Sequence, residues 1–497
     1  MVQARLRKLL TTNWHFIGVI LFFVIHGYSE HQGLIPFHEL LLLLTILLVA
    51  GLLLYGIGKK IFKADAEKAG LFTSFVFVLV LFFGVIQDFL NTFNLFSLIG
   101  RLIIFFPLCL LAIGGLLIWL RKTRLRFGKP VLLINSLLSI YILIDLCMIT
   151  QHFLALSSDK KNTALEKYGL TNCDTCTRVP VYLVLLDTYL GSDGLKEYYQ
   201  YDNTAFETSL RKQGFHITAG THSNYIFTIF SMASTLNMQY LGNVGSPVIK
   251  NHYAYNAAVS TFHNNMVCRY FESQGYQIVN YSIFDIKDVP AGYRSGLLPD
   301  NVKLITQQTM YYRVSKYLPL FLERNGWAPG TAKKVHDDFE MNNEQMMNAT
   351  LSDARKKQDK PTFTYLHLMM PHGPFIFDST GKRMPPFTEV RNIDKQYIDE
   401  AFLQYLVYTN KRISTFLNEL KAATGSKAVI ILMSDHGYQV AGRKERSLAY
   451  QNLNAVYIPD KRYEGWYNGM TNVNQFRVLF NTLFHQSLPM LKDSIVY

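Results

Sequence analysis

Five apolar blocks dominate the first 150 residues: Trp14 to Gly27, Leu40 to Ile57, Leu71 to Leu90, Leu102 to Leu120 and Val131 to Thr150. Most approach the ~20 apolar residues that an α-helix needs to cross a bilayer. Blocks of this length in succession restrict the N-terminal third to helices, because hydrocarbon leaves the backbone no partner but itself. The first block is the shortest and follows Arg5, Arg7 and Lys8, as in a secretory signal. It lacks a small-residue cleavage pattern and four more blocks follow, so it reads as a retained membrane helix.

The loop charges orient these spans. Lys59, Lys60, Lys63 and Lys68 occupy the second loop, and Arg121, Lys122, Arg124, Arg126 and Lys129 the fourth. The first loop, HGYSEHQGLIPF, has no Lys or Arg, and the third has only Arg101. This alternation follows the positive-inside rule. Five spans then put everything after Thr150 outside the cytoplasm, which divides the chain into a transmembrane domain, 1–156, and an outer domain, 157–497. Much of the net charge of +13 sits in the cytoplasmic loops, where anionic lipid headgroups are sufficient partners and no nucleic acid is required. Cys109 and Cys147 lie in spans and Cys268 in a helical pattern. Cys173 and Cys176, in TNCDTCTR, form a lone C-x-x-C; with no second pair for zinc, a local disulfide is expected in an oxidising compartment.

From Arg178 onward strands alternate with helices. VPVYLVLLD is an apolar run of strand length that ends in a charge. NTAFETSLRKQG has helical spacing, with Asn203 as N-cap and Gly214 as terminator. NMVCRYFESQGYQIVNYS repeats the order of helix, Gly and strand. PTFTYLHLMM and KAVIILMSD are further strands, separated by an amphipathic helix around Tyr397 to Leu420, and NAVYIPD precedes the helix VNQFRVLFNTLF. Residues 301–360 are more polar and read as an insertion or a connecting helical layer. The alternation predicts an α/β domain with a mainly parallel sheet sandwiched by helices.

In such sheets the ligand site lies beyond the carboxyl ends of the strands. Asp187 ends the first strand, His367 and His372 lie in TYLHLMMPHGP, and Asp435 and His436 end the strand of ILMSDHG. Each alone has an ordinary explanation as a cap, a turn or a core histidine. Together they place ionisable groups from three strands at one edge, where burial is costly unless the charges are paired or bind a metal. Their donor atoms suit zinc or manganese. The nucleophile is open among Ser223, Thr228, Ser231, Ser234 and Thr235 in THSNYIFTIFSMASTLNMQYL, a segment entering a helix whose N-terminal amides suit a phosphate.

The order of Asp187 after a strand, Thr228 before SMAS, HLMMPHGP and SDHG resembles the alkaline phosphatase and sulfatase superfamily. It is most similar to the membrane-anchored phosphoethanolamine transferases and lipoteichoic acid synthases, bacterial inner-membrane proteins with five spans and an outward-facing catalytic domain. The resemblance implies that Asp187, Thr228, Asp435 and His436 hold one divalent metal, zinc or manganese. It implies that Thr228 is the nucleophile and becomes a phospho-threonine. His372 and His367 would contact phosphoryl oxygens or protonate the leaving group, and Asn265 and Arg269 would line the substrate pocket. The implied reaction takes a phosphoethanolamine- or phosphoglycerol-type headgroup from a phospholipid donor to an envelope lipid or glycan acceptor. A phosphodiesterase or sulfatase-like hydrolase with the same site and a non-catalytic envelope scaffold are the other readings. The C/S-x-P-x-R motif of true sulfatases is missing. So are the cysteines that flank the transferases' Thr, their Glu at position 187, and their His soon after Asp-His-Gly.

Overall fold

The computed structural model describes residues 12–32, 35–93, 96, 98–156, 165–166, 168–242, 252–287, 289–292, 302–327, 331–385, 394–438 and 446–496. Arg5, Arg7 and Lys8 lie outside them. The chain divides into two compact units, Met1–Asp159 with Ser295–Pro329, and Lys160–Arg294 with Gly330–Tyr497. Segment 302–327, which the composition groups with the outer domain, packs in the first unit.

The apolar blocks of the first unit form helices His15–Glu30, Phe37–Ile61, Ala66–Leu81, Phe83–Thr92, Leu102–Lys122 and Gly128–Leu156. Among the described residues three have the length and composition of a membrane span, or four if Ala66–Leu81 and Phe83–Thr92, bent by 61°, form one broken span. The expected number of exactly five spans is not confirmed by length and composition, which pick out three or four among the described residues. His15–Glu30 has 16 residues, and at ~1.5 Å per residue it is shorter than the ~30 Å of hydrocarbon. The bend falls at Phe82, which ends one helix and precedes the next. Just beyond it the Gly84 amide, a first-turn donor without an intrahelical partner, donates to the Gln308 carbonyl at 2.7 Å. Asp145 accepts from Ser29 at 3.0 Å and meets His26 Nδ1 at 3.1 Å, tying helix His15–Glu30 to Gly128–Leu156.

The second unit is built on a six-stranded sheet in the order β2-β6-β5-β1-β4-β3. Its strands are β1 (Val181–Leu186), β2 (His216–Ile217), β3 (Gln277–Tyr281), β4 (Thr362–Leu368), β5 (Val429–Ser434) and β6 (Asn454–Tyr457). β3, β4, β1 and β5 are parallel, while β6 runs antiparallel to β5 and β2 antiparallel to β6. The sheet is thus mixed, its parallel part being the part that carries the site. Every residue of β1, β4 and β5 is buried, as expected for strands covered on both faces. Along β1, Val181, Leu183 and Leu185 join one apolar core and Tyr182, Val184 and Leu186 the other. That period of two is the alternation of side chains across a pleated sheet, and it fixes a three-layer α/β/α sandwich.

Helix Lys395–Ala423 covers one face, and its Asp394 cap accepts from the Tyr397 amide at 2.8 Å. The expected cap of helix Thr204–Lys212 is different. Asn203 makes no cap bond; Asp202 accepts from the Thr204 amide at 2.9 Å instead. The Asn203 amide is drawn into a buried network with Tyr189 and Asn410. Cys173 and Cys176 form the expected disulfide.

Candidate active site

β1, β4 and β5 lie side by side in register, so that Leu186 is level with Leu368 on one side and with Ser434 on the other. Asp187 and Asp435, one residue further, leave adjacent strands at the same height. With His436 they offer ligand atoms that all lie within 4.8 Å of one another, and all three side chains are buried. His436 Nδ1 lies 2.8 Å from the Gly437 carbonyl. A carbonyl only accepts, so Nδ1 carries a proton and Nε2 is the nitrogen that faces the carboxylates, 3.3 Å from Asp435 Oδ2.

Two buried carboxylates resist being ionised together. Burial, then the Asp187 charge, push the Asp435 carboxyl above its ordinary range, against the opposing influence of His436, His367 and a hydrogen bond from Thr228. Burial also opposes ionisation of Asp187, but the His367 hydrogen bond and the charges of His372, His367 and His436 outweigh it and hold this carboxyl below the usual range. Asp187 Oδ1 and Asp435 Oδ2 are buried and make no hydrogen bond. Orphaned buried carboxylate oxygens are costly. A pair of them beside an imidazole nitrogen fits a divalent ion of the zinc or manganese kind.

Thr228 opens helix Thr228–Asn237, close enough to Asp435 for its hydroxyl to favour the ionised carboxyl. It is partly exposed, whereas Ser223, Ser231, Ser234 and Thr235 are buried. Of the five candidate hydroxyls, Thr228 alone combines partial exposure with an influence on the carboxylate cluster. Ser231, one turn on, donates to the Asp435 carbonyl at 2.5 Å. His372 is partly exposed and near enough for its charge to act on Asp187.

The structure does not bring the remaining expected residues to an open pocket. His367 is sealed within the sheet; its Nε2 lies 3.0 Å from Asp187 Oδ2 and its Nδ1 3.2 Å from the Tyr365 hydroxyl. Asn265 is the buried N-cap of helix Met266–Ser273, accepting from the Cys268 amide at 2.8 Å and donating to the Phe262 carbonyl at 2.9 Å. Its amide is spent on the backbone. Arg269 acts on Tyr168 and is not among the charges that shift Asp187 or Asp435.

Several residues that frame the cluster were not singled out from the sequence. The Thr188 amide donates to Asp435 Oδ1 at 3.0 Å, from a left-handed backbone with φ of 60° that costs a β-branched residue strain. Asn472 Nδ2 reaches the Ser434 and Asp435 carbonyls, both at 3.2 Å, and Asn452 Nδ2 reaches the Ser434 carbonyl at 3.0 Å. These two asparagines carry no local signal, since they come from other loops. Tyr365 has one: two residues before His367 on a strand, it shares that histidine's face. Gly437 has a steric reason, because a Cβ there would run into the carbonyl oxygens of Leu448 and Gln451.

The family model described as Sulfatase matches residues 183–485, more than half of the chain. No curated protein matches the sequence. Among solved structures, the integral membrane lipooligosaccharide phosphoethanolamine transferase A (EptA) from Neisseria meningitidis is similar at 13% identity, covering 97% of this chain and 96% of that one, with a TM-score of 0.39. The C-terminal periplasmic domain of phosphoethanolamine transferase EptC from Campylobacter jejuni aligns at 15% identity over 63% of this chain and 91% of its own, with a TM-score of 0.38. The phosphonate monoester hydrolase SpPMH from Silicibacter pomeroyi aligns at 14% over 64% and 75%, with a TM-score of 0.40. On this match over more than half of its length, the chain belongs to the sulfatase family, among the enzymes of the alkaline phosphatase superfamily.

Proposed function

We propose that the chain is a membrane-bound, metal-dependent transferase that moves a phospho-headgroup, of phosphoethanolamine or phosphoglycerol type, from a phospholipid to an envelope lipid or glycan. One observation carries this reading: Thr228, at a helix N-terminus and partly exposed, lies close enough to act on the Asp435 carboxyl, beside two buried carboxylate oxygens that have no hydrogen bond.

Asp187, Asp435, His436 and Thr228 would hold one zinc or manganese ion. When bound, it supplies Lewis acidity that eases loss of the Thr228 proton and offsets charge on the phosphoryl oxygens. Asp435, next to Thr228, would accept the hydroxyl proton as the oxygen attacks. The Thr228 oxygen forms a bond to phosphorus while the bond from phosphorus to the diacylglycerol oxygen breaks, and His372 delivers the proton that this oxygen needs. The free amides at the start of helix Thr228–Asn237 supply donors for phosphoryl oxygens. An acceptor hydroxyl then attacks phosphorus and gives its proton to His372, the bond to Thr228 breaks, and the threonine oxygen takes back the proton held by Asp435. His367 works one step back, on the orientation of Asp187.

The Cys173–Cys176 disulfide supports placing this unit outside the cytoplasm, on the periplasmic or extracellular side of a bacterial inner membrane. Anchoring it by apolar helices keeps the site at the bilayer, where a phospholipid donor is confined. Product analysis with the full chain in vesicles of phosphatidylethanolamine or phosphatidylglycerol tests the reading. A transferase leaves diacylglycerol and a headgroup on an added acceptor. Free headgroup phosphate instead would assign a phosphodiesterase, and no turnover by metal-replete protein would assign a scaffold.

A further inference from the structure

Segment 302–327 packs in the first unit. Its helix Met310–Arg324 is held at the start by Arg313, whose two terminal nitrogens grip Asp88 of helix Phe83–Thr92 at 3.1 and 2.7 Å. The Gln308 carbonyl takes the Gly84 amide of the same helix. Farther along, the apolar side of helix Met310–Arg324 does not close against span Leu102–Lys122. A cavity of about 640 Å³ remains, walled by Ile103, Phe106, Leu318 and Phe321, and Gln87, Asn91 and Arg313 supply its polar residues. The volume falls within the ~300–1,000 Å³ typical of ligand sites.

The character of the walls identifies the occupant. Water needs two or more polar partners, which the cavity offers only at the edge formed by Gln87, Asn91 and Arg313. Ile103 is 49% exposed and Leu111, two turns on in the same helix, is 70% exposed; that helix has the length and composition of a membrane span. The cavity wall thus continues into a surface whose solvent is lipid hydrocarbon. Trp327, also lining the cavity, is 73% exposed and meets Phe321 edge-on at 6.3 Å, the placement of an aromatic ring at a membrane interface. Among the described hydrogen bonds Arg313 uses four of its five N–H groups, to Gln307, Gln308 and Asp88. One remains for an anionic oxygen.

We propose that this cavity binds one acyl chain of a bilayer phospholipid, with the lipid phosphate at the Arg313 edge. Because Arg121 and Lys122 mark the cytoplasmic end of span Leu102–Lys122, its Leu102 end draws the lipid from the outer leaflet. The site goes beyond the proposed chemistry, since a hydrolase or a scaffold with this fold would bind lipid there equally.

The test uses the full chain in nanodiscs of phosphatidylcholine and phosphatidylglycerol, doped with a phospholipid that carries a diazirine on one acyl chain. After photolysis and peptide mapping, the label is expected to be enriched severalfold on peptides containing Ile103 to Pro107 and Leu318 to Leu322, relative to helix Phe37–Ile61. Leu318→Trp, which fills the cavity, returns these peptides to that background. Even labelling of all lipid-facing helices, or enrichment unchanged in Leu318→Trp, overturns the proposal. Should the substitution unfold the unit, saturation of the wild type decides: a site saturates as the fraction of labelled lipid rises, and bulk lipid contact rises linearly.

Discussion

Nε2 of His367 lies 3.0 Å from Oδ2 of Asp187, and both side chains are sealed from solvent. Behind them the Tyr365 hydroxyl stands 3.2 Å from the other nitrogen of the ring. Burial, with the charges of Asp435 and Asp187, pushes the Tyr365 phenol well above its ordinary range, so it stays protonated and donates. Nε2 of the ring donates to Asp187, which fixes one oxygen of the carboxylate and leaves the other, Oδ1, without a hydrogen bond.

His367→Ala therefore frees the Asp187 carboxylate to rotate. Wild-type protein is expected to carry about one zinc or manganese per chain, and loss of an outer partner of a metal ligand typically weakens affinity ~10–100-fold. Tyr365→Phe removes only the second link and should cost less. Competition with a chromophoric chelator measures both, and the metal-free unfolding temperature reports separately on damage to the fold. Equal affinity in all three proteins would show that the histidine only fills space.

The Asp435 carboxyl, raised by burial and by the Asp187 charge, gives metal uptake a pH dependence. A carboxyl whose folded value lies above its unfolded one contributes stability that is present below the unfolded value and lost as pH rises through the folded value. Metal-free protein should lose stability on that rise. Metal binding should displace a proton, tighten with rising pH in the same window and restore the unfolding temperature. Melting curves across pH with a chelator and with zinc check the sign.

Gly437→Ala is expected to displace the loop that carries His436. A Cβ meets two backbone carbonyls, which have no rotamer by which to yield, and overpacking of this kind costs ~1–3 kcal/mol. Metal affinity should fall together with stability. Chemical denaturation and chelator competition on one sample test this.

Thiol chemistry offers a check independent of activity. Cys173 and Cys176 are joined, and Cys268 is buried with its thiol pushed to about 12, chiefly by burial. Native protein should therefore take up no iodoacetamide between residues 160 and 294. Reduction should expose two sites and unfolding a third, read by peptide mapping.

The parts of this site that were legible in the sequence are those written locally. Asp187 and Asp435 each end a run of apolar residues, and a parallel sheet sends such ends to one edge. Thr228 could be chosen among five hydroxyls only through resemblance, because which one meets a carboxylate depends on how helix Thr228–Asn237 docks. His367 shows why spacing falls short: a period of two tells which face of β4 it occupies, but not that Asp187, just past the end of the neighbouring strand, comes within 3.0 Å of it. Asn265 and Arg269, four apart, look alike whether they line a pocket or cap a helix, and the Cys268 amide settles Asn265 as a cap. Asn203 was misread for a similar reason, since its partners Tyr189 and Asn410 are distant in sequence. The pairing of Arg313 with Asp88 spans 225 residues and has no trace in local composition, so the placement of segment 302–327 came only with the fold.

The most direct test of the account is the covalent state of Thr228 during turnover. Full-length, metal-replete protein would be mixed with vesicles of the phospholipid donor without acceptor, quenched in acid and mapped by mass spectrometry. The account predicts a headgroup phosphate on Thr228 in amount equal to the diacylglycerol released, and neither product from Thr228→Ala. Diacylglycerol formed with Thr228 unmodified, and formed equally by Thr228→Ala, would contradict it.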